Sequence, residues 1–372
     1  MALTLHGTVA DNTVVLDRRS AKPIIINGDM QVAQRGTSVT GITGSGYQTV
    51  DRMNFTISGL GTWTQTQDTT VPTAKGFSKS LKMDCTTADG SPAAGDFCLM
   101  QYKIEAQDLQ LLEYGTSSAK AFTLRFHVRS PKTGTHIVHI YQNDGARHIS
   151  KAYTISSADT FQEVIINIPG DTGGTINNDN DIGLQIEFFL AAGSNSTSGT
   201  LATSWAGYTQ ANAAVGQVNC ADSTDNNWYI TGLQMEVGEF DANSIAAFQH
   251  ESFGDSLTRC QRYCQVYGAY SNMMIGAGLT SNATTALRWG LPLLVEMRAV
   301  PSLDDKTSGS TRFRVNGNAN SNTGNNASID TAVSNNKILS IVFTGFSGLN
   351  DGSGCYVRKQ GSSALIGVSS EL

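Results

Sequence analysis

Four runs near the middle of the chain alternate apolar with polar residues, and this period of two constrains the fold more than any other feature. The runs are residues 121–128 (AFTLRFHV), 135–141 (THIVHIY), 161–168 (FQEVIINI) and 182–189 (IGLQIEFF). Successive side chains of a strand point to opposite faces, so such alternation marks strands with one buried face, the usual arrangement in antiparallel sheets. Turn-forming residues separate them, notably Ser130-Pro131-Lys132-Thr133-Gly134 and Asn143-Asp144-Gly145, which suit hairpin connections. Further strands are predicted at residues 291–297, 312–315, 338–346 and 364–368, while residues 316–326, nearly all Asn, Gly, Ser and Thr, read as a long solvated loop. Helical spacing occurs once, at Leu257, Cys260, Tyr263 and Cys264, with Asp255 or Ser256 as the cap. No internal repeat is visible, which excludes solenoids, propellers and repetitive β-spiral shafts.

Composition bounds the partners. With 372 residues the chain exceeds what one small core supports, so two domains are expected. Only 15% of residues are charged, against about 25% in an ordinary globular protein. Small neutral polar residues must therefore cover the surface, while 40% hydrophobic residues suffice for a core and argue against disorder. The net charge of −6, with no basic cluster, excludes a nucleic-acid surface, which needs grouped Lys and Arg to neutralise phosphates. No apolar run is long enough for membrane insertion, and residues 1–19 lack the basic-then-apolar pattern of a secretory leader. The six cysteines (Cys85, Cys98, Cys220, Cys260, Cys264 and Cys355) are too sparse for a disulfide scaffold and read as buried free thiols. The spacing of Cys260 and Cys264 fits packing on one helix face better than a metal site.

Candidate chemistry is thin. His136 and His139 lie three apart in a predicted strand, so their imidazoles point to opposite faces and cannot share a metal. No zinc-protease, nucleophile-elbow, P-loop or dinucleotide motif stands in a suitable context. Asp84, Asp96, Asp181, Glu187 and Glu236 are candidate acids for a carbohydrate-cleaving pair, with solvated or hydrogen-bonded carboxylates the plainer reading. Asn177, Asp179 and Asp181 put oxygen side chains at alternate positions, as calcium requires, although Ile182 and Phe188 break the EF-hand pattern. They are the candidate structural calcium ligands, and no other cofactor is expected. Trp63, flanked by threonines, and Trp205, in a small-residue loop, are the candidate sugar-stacking residues, set against the core packing usual for tryptophan.

Two segments carry a family likeness. The first is Ile24-Ile25-Ile26-Asn27-Gly28-Asp29-Met30-Gln31-Val32-Ala33-Gln34-Arg35-Gly36, followed by Val50-Asp51-Arg52-Met53. The second is Trp228-Tyr229-Ile230-Thr231-Gly232-Leu233-Gln234-Met235-Glu236-Val237-Gly238, then Phe248-Gln249-His250-Glu251-Ser252-Phe253-Gly254-Asp255-Ser256-Leu257 and Arg259-Cys260-Gln261-Arg262-Tyr263. Together they resemble a family of bacteriophage virion proteins, described as tail fibre, receptor-binding or minor structural proteins with a jelly-roll, carbohydrate-module-like domain. The resemblance implies that the second segment closes the jelly roll and opens a short helix. The residues also have a physical reading. Asn27-Gly28-Asp29 is a tight turn in which Gly28 is free to take positive φ. Arg35 and Arg52, rare cations here, are expected to pin strand ends by pairing with Asp29, Asp51 or Glu236.

These strands and this resemblance lead to an all-β chain: a jelly-roll β-sandwich followed by a short helix and a second, smaller β-domain. The expected divisions are a virion-attachment segment (1–23), the sandwich (24–240), a helical linker (241–265) and the C-terminal β-domain (266–372). The function expected is that of a non-enzymatic phage virion structural protein, a tail fibre or receptor-binding protein recognising a host surface glycan. Its partners would be other virion proteins and itself, as a homotrimer. A capsid-decorating, tail or collar structural protein with no receptor function stays open, as does a depolymerase with two carboxylates lining a groove.

Overall fold

A computed structural model describes residues 22–267, 274–280, 287–304, 313–317, 321–324, 326–344, 352–359 and 366–372. Almost all of the expected attachment segment (1–23) lies outside the described residues. In chain order the first thirteen strands are β1 (Ser38–Ile42), β2 (Gly46–Tyr47), β3 (Met53–Ser58), β4 (Thr62–Asp68), β5 (Ser80–Thr87), β6 (Phe97–Glu105), β7 (Phe122–Arg129), β8 (Gly134–Gln142), β9 (Arg147–Ile155), β10 (Gln162–Ile168), β11 (Ile182–Ala192), β12 (Ala206–Gly207) and β13 (Asn227–Val237). They form a jelly-roll sandwich of a six-stranded sheet, β1-β4-β5-β13-β7-β10, on a seven-stranded sheet, β12-β9-β8-β11-β6-β3-β2. The alternating runs became β7, β8, β10 and β11 because one side of each finds the interior. Phe122, Leu124, Phe126 and Val128 of β7, and Leu184, Ile186, Phe188 and Leu190 of β11, are fully buried. Edge-on aromatic contacts join the layers, Phe126 to Phe188 at 5.1 Å among them.

Beyond the sandwich stands helix α2 (Phe253–Gln261), the four-residue Ser194–Thr197 turn being α1. Its cap is Ser252, whose side chain accepts from Asp255 N, three and four residues earlier than the Asp255 or Ser256 offered by sequence. Cys260 and Tyr263 pack beneath it on Ile26 and Val32. A smaller β region follows: β14 (Cys264–Tyr267), β15 (Met274–Thr280), β16 (Leu287–Pro292), β17 (Ser302–Asp304), β18 (Phe313–Gly317), β19 (Ser321–Gly324), β20 (Asn326–Ile329), β21 (Ile338–Thr344), β22 (Gly354–Lys359) and β23 (Ile366–Ser369). These make a three-stranded sheet, β14-β23-β17, and a seven-stranded one, β19-β18-β22-β15-β16-β21-β20, around Leu339, Ile341, Phe343 and Val357. All six cysteines are free and buried. Among the described residues no helix is long and apolar enough to cross a membrane.

Three local expectations need correcting. The described residues within 316–326 are paired: β18 pairs antiparallel with β19, Asn316 opposite Ser321, and β20 begins at Asn326, so backbone pairing outweighs the polar composition there. The strand expected at 291–297 ends at Pro292, after which Leu293 N and Met297 N donate to Lys337 O and Asn336 O. At the opening turn the left-handed residues are Asn27 and Met30, both at φ 60°. Gly28 serves instead for close approach, since a Cβ there would lie 2.1 Å from Leu233 O. That approach lets Leu233 N donate to Gly28 O and ties the first family-like segment to the second.

Arg35 and Arg52 do pin chain segments, but through partners the sequence could not indicate. Arg35 pairs with Asp304 (2.5 Å) and Glu371 (3.3 Å), and Arg52 pairs with Glu371. Burial pulls the Arg52 pKa down, and the Glu371 carboxylate together with Tyr263, Tyr102 and Tyr47 more than offsets it. Alongside, Arg262 donates twice to Glu105 (2.8 Å each), whose Oε1 also accepts from Tyr263 OH (2.5 Å). Arg298 bonds Asn180 O and Ser370 O. This charged seam fastens the sandwich, α2 and the last strand to one another.

Candidate functional site

The seven-stranded sheet has a side turned away from the sandwich core, and strand alternation decides what stands on it. Met100, Tyr102, Val138, Ile140, Leu184, Ile186 and Phe188 point inward, so their neighbours point outward. Register sets these in two rows. One runs Asn54, Gln101, Glu187, His139, Ser150 across β3, β6, β11, β8 and β9; the next runs Lys103, Gln185, Tyr141, His148. The excursion between β11 and β13 rises along one side, held by Ser150 Oγ to Ala213 O (2.8 Å) and by Gln217 Oε1, which accepts from Ile137 N (2.7 Å). Leu372 bounds the other, its O accepting from Lys103 Nζ (2.8 Å) and Tyr47 OH (3.1 Å).

The rows are hydrogen-bonded into a fixed array. Gln101 Nε2 donates to Gln185 Oε1 (2.6 Å) and Glu187 Oε1 (2.5 Å). Glu187 Oε2 lies 2.8 Å from His139 Nδ1, and His139 Nε2 lies 3.0 Å from His148 Nδ1. His148 Nε2 accepts from Thr209 N at 3.3 Å. Tyr208, 46% exposed, stands over this corner, its ring 5.1 Å from Tyr141 and 5.2 Å from His148. Burial, then the neighbouring His139, lowers the His148 pKa to about 4. Burial also lowers that of Lys103, the one Lys or Arg at the outward positions of these five strands. Their outward carboxylates are Glu187 and Glu105, and Glu105 is fully buried beneath Arg262 and Tyr263. The face thus offers adjacent amide, carboxylate and phenol groups beside exposed aromatic surface, with one available carboxylate and no free cation.

Of the residues singled out by sequence, the structure corrects Trp63: it is fully buried, edge-on to Phe55 (5.9 Å), with Nε1 donating to Leu60 O, so it has no face for a sugar. Trp205 is half-buried, packs edge-on to Tyr114 (5.7 Å) and donates to Pro169 O (2.7 Å); it does not join Trp63. The three candidate calcium ligands take separate partners. Asn177 Nδ2 bonds Asp144 Oδ1, Asp179 Oδ1 accepts from Asp181 N, and Asp181 lies 3.4 Å from the Arg298 guanidinium. The Asp181 side chain is 79% exposed, and among the described residues no group of three or more His, Cys, Asp or Glu side chains converges as a metal set. His136 and His139 do face oppositely, His136 stacking on Tyr153 inside (5.5 Å). Of the candidate acids, Glu187 alone joins the array. The residues sequence reasoning passed over are Gln101, Gln185, Tyr141, His148 and Tyr208.

A separate concavity of about 590 Å³ lies between residues 22–26, the 3₁₀ turn Ala106–Leu112 and α2, floored by Arg259, Arg262 and Tyr263. Arg262 and Tyr263 belong to the charged seam and Arg259 is held by Glu251 and Pro23 O, so the concavity reads as packing at a junction.

No family model and no curated protein sequence matches the chain. Solved structures are similar at low identity. The enzymatically active domain of bacteriophage CBA120 tailspike protein 4 is 15% identical with a TM-score of 0.30, over 58% of this chain and 21% of that one. The family 11 carbohydrate-binding module of a Clostridium thermocellum cellulosomal cellulase is 12% identical with a TM-score of 0.26, over 60% and 98%. An exo-beta-agarase is 10% identical with a TM-score of 0.30, over 56% and 26%. The chain spans about a fifth of the tailspike chain it matches. The fold assignment rests on the two sheets themselves.

Proposed function

We propose that this chain is a non-enzymatic virion component whose sandwich binds a neutral host surface glycan on the outward face of the seven-stranded sheet. The observation that carries the binding reading is the row Asn54, Gln101, Glu187 with Gln185 beside it, walled by Tyr141 and Tyr208. Side-by-side amide and carboxylate groups match vicinal hydroxyls of a sugar ring, and an exposed phenol ring offers the flat surface its C–H face prefers. Neutral glycans fit because the face carries Glu187 and commits Lys103 to Leu372 O, leaving no cation for a sulfate or carboxylate. A single available carboxylate supports binding over hydrolysis, which takes two. The virion setting rests on the two family-like segments, and a homotrimer would multiply weak contacts by avidity.

A glycan array followed by calorimetry tests the site. Gln101→Ala and Tyr208→Ala are each expected to weaken binding about tenfold, or about 1.4 kcal/mol, with the far-UV spectrum unchanged. Absence of any glycan or host-cell binding by the purified oligomer overturns the receptor reading in favour of the decorating or collar role. A monomeric mass at micromolar concentration overturns the trimer.

A further inference from the structure

The hydrogen-bond chain on the sheet face runs in one direction. Because Thr209 N–H donates to His148 Nε2, that nitrogen carries a lone pair and the neutral ring holds its hydrogen on Nδ1. His148 Nδ1–H then donates to His139 Nε2, and His139 Nδ1–H to Glu187 Oε2. One added proton ends this arrangement wherever its charge settles. If His148 takes it, both ring nitrogens hold hydrogens. If His139 takes it, His139 Nε2 becomes a donor, His148 Nδ1 must accept, and the remaining hydrogen of His148 moves to Nε2. Either way an N–H at Nε2 meets the Thr209 N–H, and a bond becomes an opposition of two donors.

We infer that the His139–His148 pair is a proton-operated latch on the segment bearing Tyr208, so that uptake of one proton frees the Thr209 amide and turns Tyr208 off the binding face. This rests on the proposed glycan face and adds its regulation. The groups around the pair set the direction. Glu187 from β11 favours uptake, and burial opposes it, holding His148 at about 4. Tyr141 and Tyr208 face the pair as neutral rings. Of the nearby cations, Lys103 is tied to Leu372 O, Lys151 to Thr203 O, and Arg147, next to His148, to Asp171 (2.7 and 2.9 Å). The latch is therefore closed above the ordinary histidine pKa and opens as pH falls from there towards about 4. Tyr208 N still donates to Ala146 O, and β12 still pairs with β9. The segment stays hinged at β12, and the change falls on residues 208–212.

Hydrogen exchange read by mass spectrometry from pH 7.5 to 4, corrected for intrinsic rates, tests the latch without any glycan. Amides at 209–212 are expected to lose at least tenfold in protection on acidification while β8 and β11 keep theirs. His148→Gln, whose side-chain oxygen accepts at every pH, is expected to stay flat, and Glu187→Gln to move the transition to lower pH. Constant protection in the wild type overturns the latch, as does an unchanged transition in His148→Gln. Should His148→Gln fail to fold, an unmoved midpoint in Glu187→Gln overturns it instead. An exchange transition in a protein that binds no neutral glycan at any pH sustains the latch and overturns the glycan reading.

Discussion

Removing the Glu371 carboxylate tests whether the charged seam holds the last strand to the sandwich. The Glu371 side chain is 5% exposed and faces Arg35 and Arg52, which are 2% and 1% exposed. In Glu371→Gln, Arg35 keeps Asp304 (2.5 Å), so the loss centres on Arg52. Its guanidinium would retain Lys103 O (2.6 Å) and the Tyr263 ring (3.5 Å), with Nε already lacking an acceptor. Breaking a buried pair from one side leaves an uncompensated charge at a cost of about 3–5 kcal/mol. The neutral Gln amide can still accept one bond, which puts the expectation at the lower end, about 3 kcal/mol. Urea unfolding at pH 7 gives the loss, and exchange at residues 366–369 locates it, since β23 pairs with both β14 and β17. Adding Arg52→Met removes the stranded charge, so a double-mutant cycle should return a coupling of about 2–3 kcal/mol. A loss under about 1 kcal/mol, or additive single effects, refutes the claim that this pair fastens the two regions.

Three further outcomes follow from the same packing. Trp63→Ala empties a fully buried site and strands Leu60 O, so stability should fall by about 3–5 kcal/mol, while glycan affinity of the folded fraction stays unchanged in calorimetry. Arg262→Met leaves Glu105, fully buried, with only Tyr263 and Gln107 as donors; a loss of about 3 kcal/mol in denaturant titrations is expected. Burial lowers His136 to about 4 from an ordinary 6.5, so its contribution is intact above pH 6.5 and is lost as pH falls through 4. That difference is worth about 3 kcal/mol. His136→Phe, which forgoes the bond to Lys132 O, should be the less stable protein at pH 7.5 and close the gap by pH 4, and a constant gap would refute the assignment.

The sandwich was readable wherever a strand had one wet and one dry side. In β7 and β11 every apolar residue of the alternating set lands on a core position, because burial of one face is what the pattern encodes, while Thr123, His127 and Phe189 on the other side are covered by neighbouring segments. It failed within 316–326, where polar residues of β18 and β19 pair as strands, and side-chain polarity says nothing about backbone partners. Arg35 and Arg52 show the other limit. Their chemistry demanded carboxylates, and nearby Asp51 and Asp29 were the economical choice, yet Glu371 lies 336 and 319 residues away along the chain. Only the return of β23 beside β14 brings it there.

The site was hidden for a related reason. The same alternation that marks β6, β8 and β11 as strands also states which polar residues share a face within each: Gln101 with Lys103, His139 with Tyr141, Gln185 with Glu187. What alternation cannot state is register, and register alone sets Gln101 opposite Glu187 and Glu187 opposite His139. A slip of one residue would send His139 inward and bring His136 out. The tryptophans drew attention because a large aromatic in a polar stretch looks exposed, but Trp63 sits on the dry side of β4, where neighbouring Thr62 and Thr64 face away. Polar neighbours in a strand therefore argue for burial of the residue between them, and the exposed aromatic at this face, Tyr208, comes from a connection whose path over the sheet depends on bonds to Ala146 O and His148.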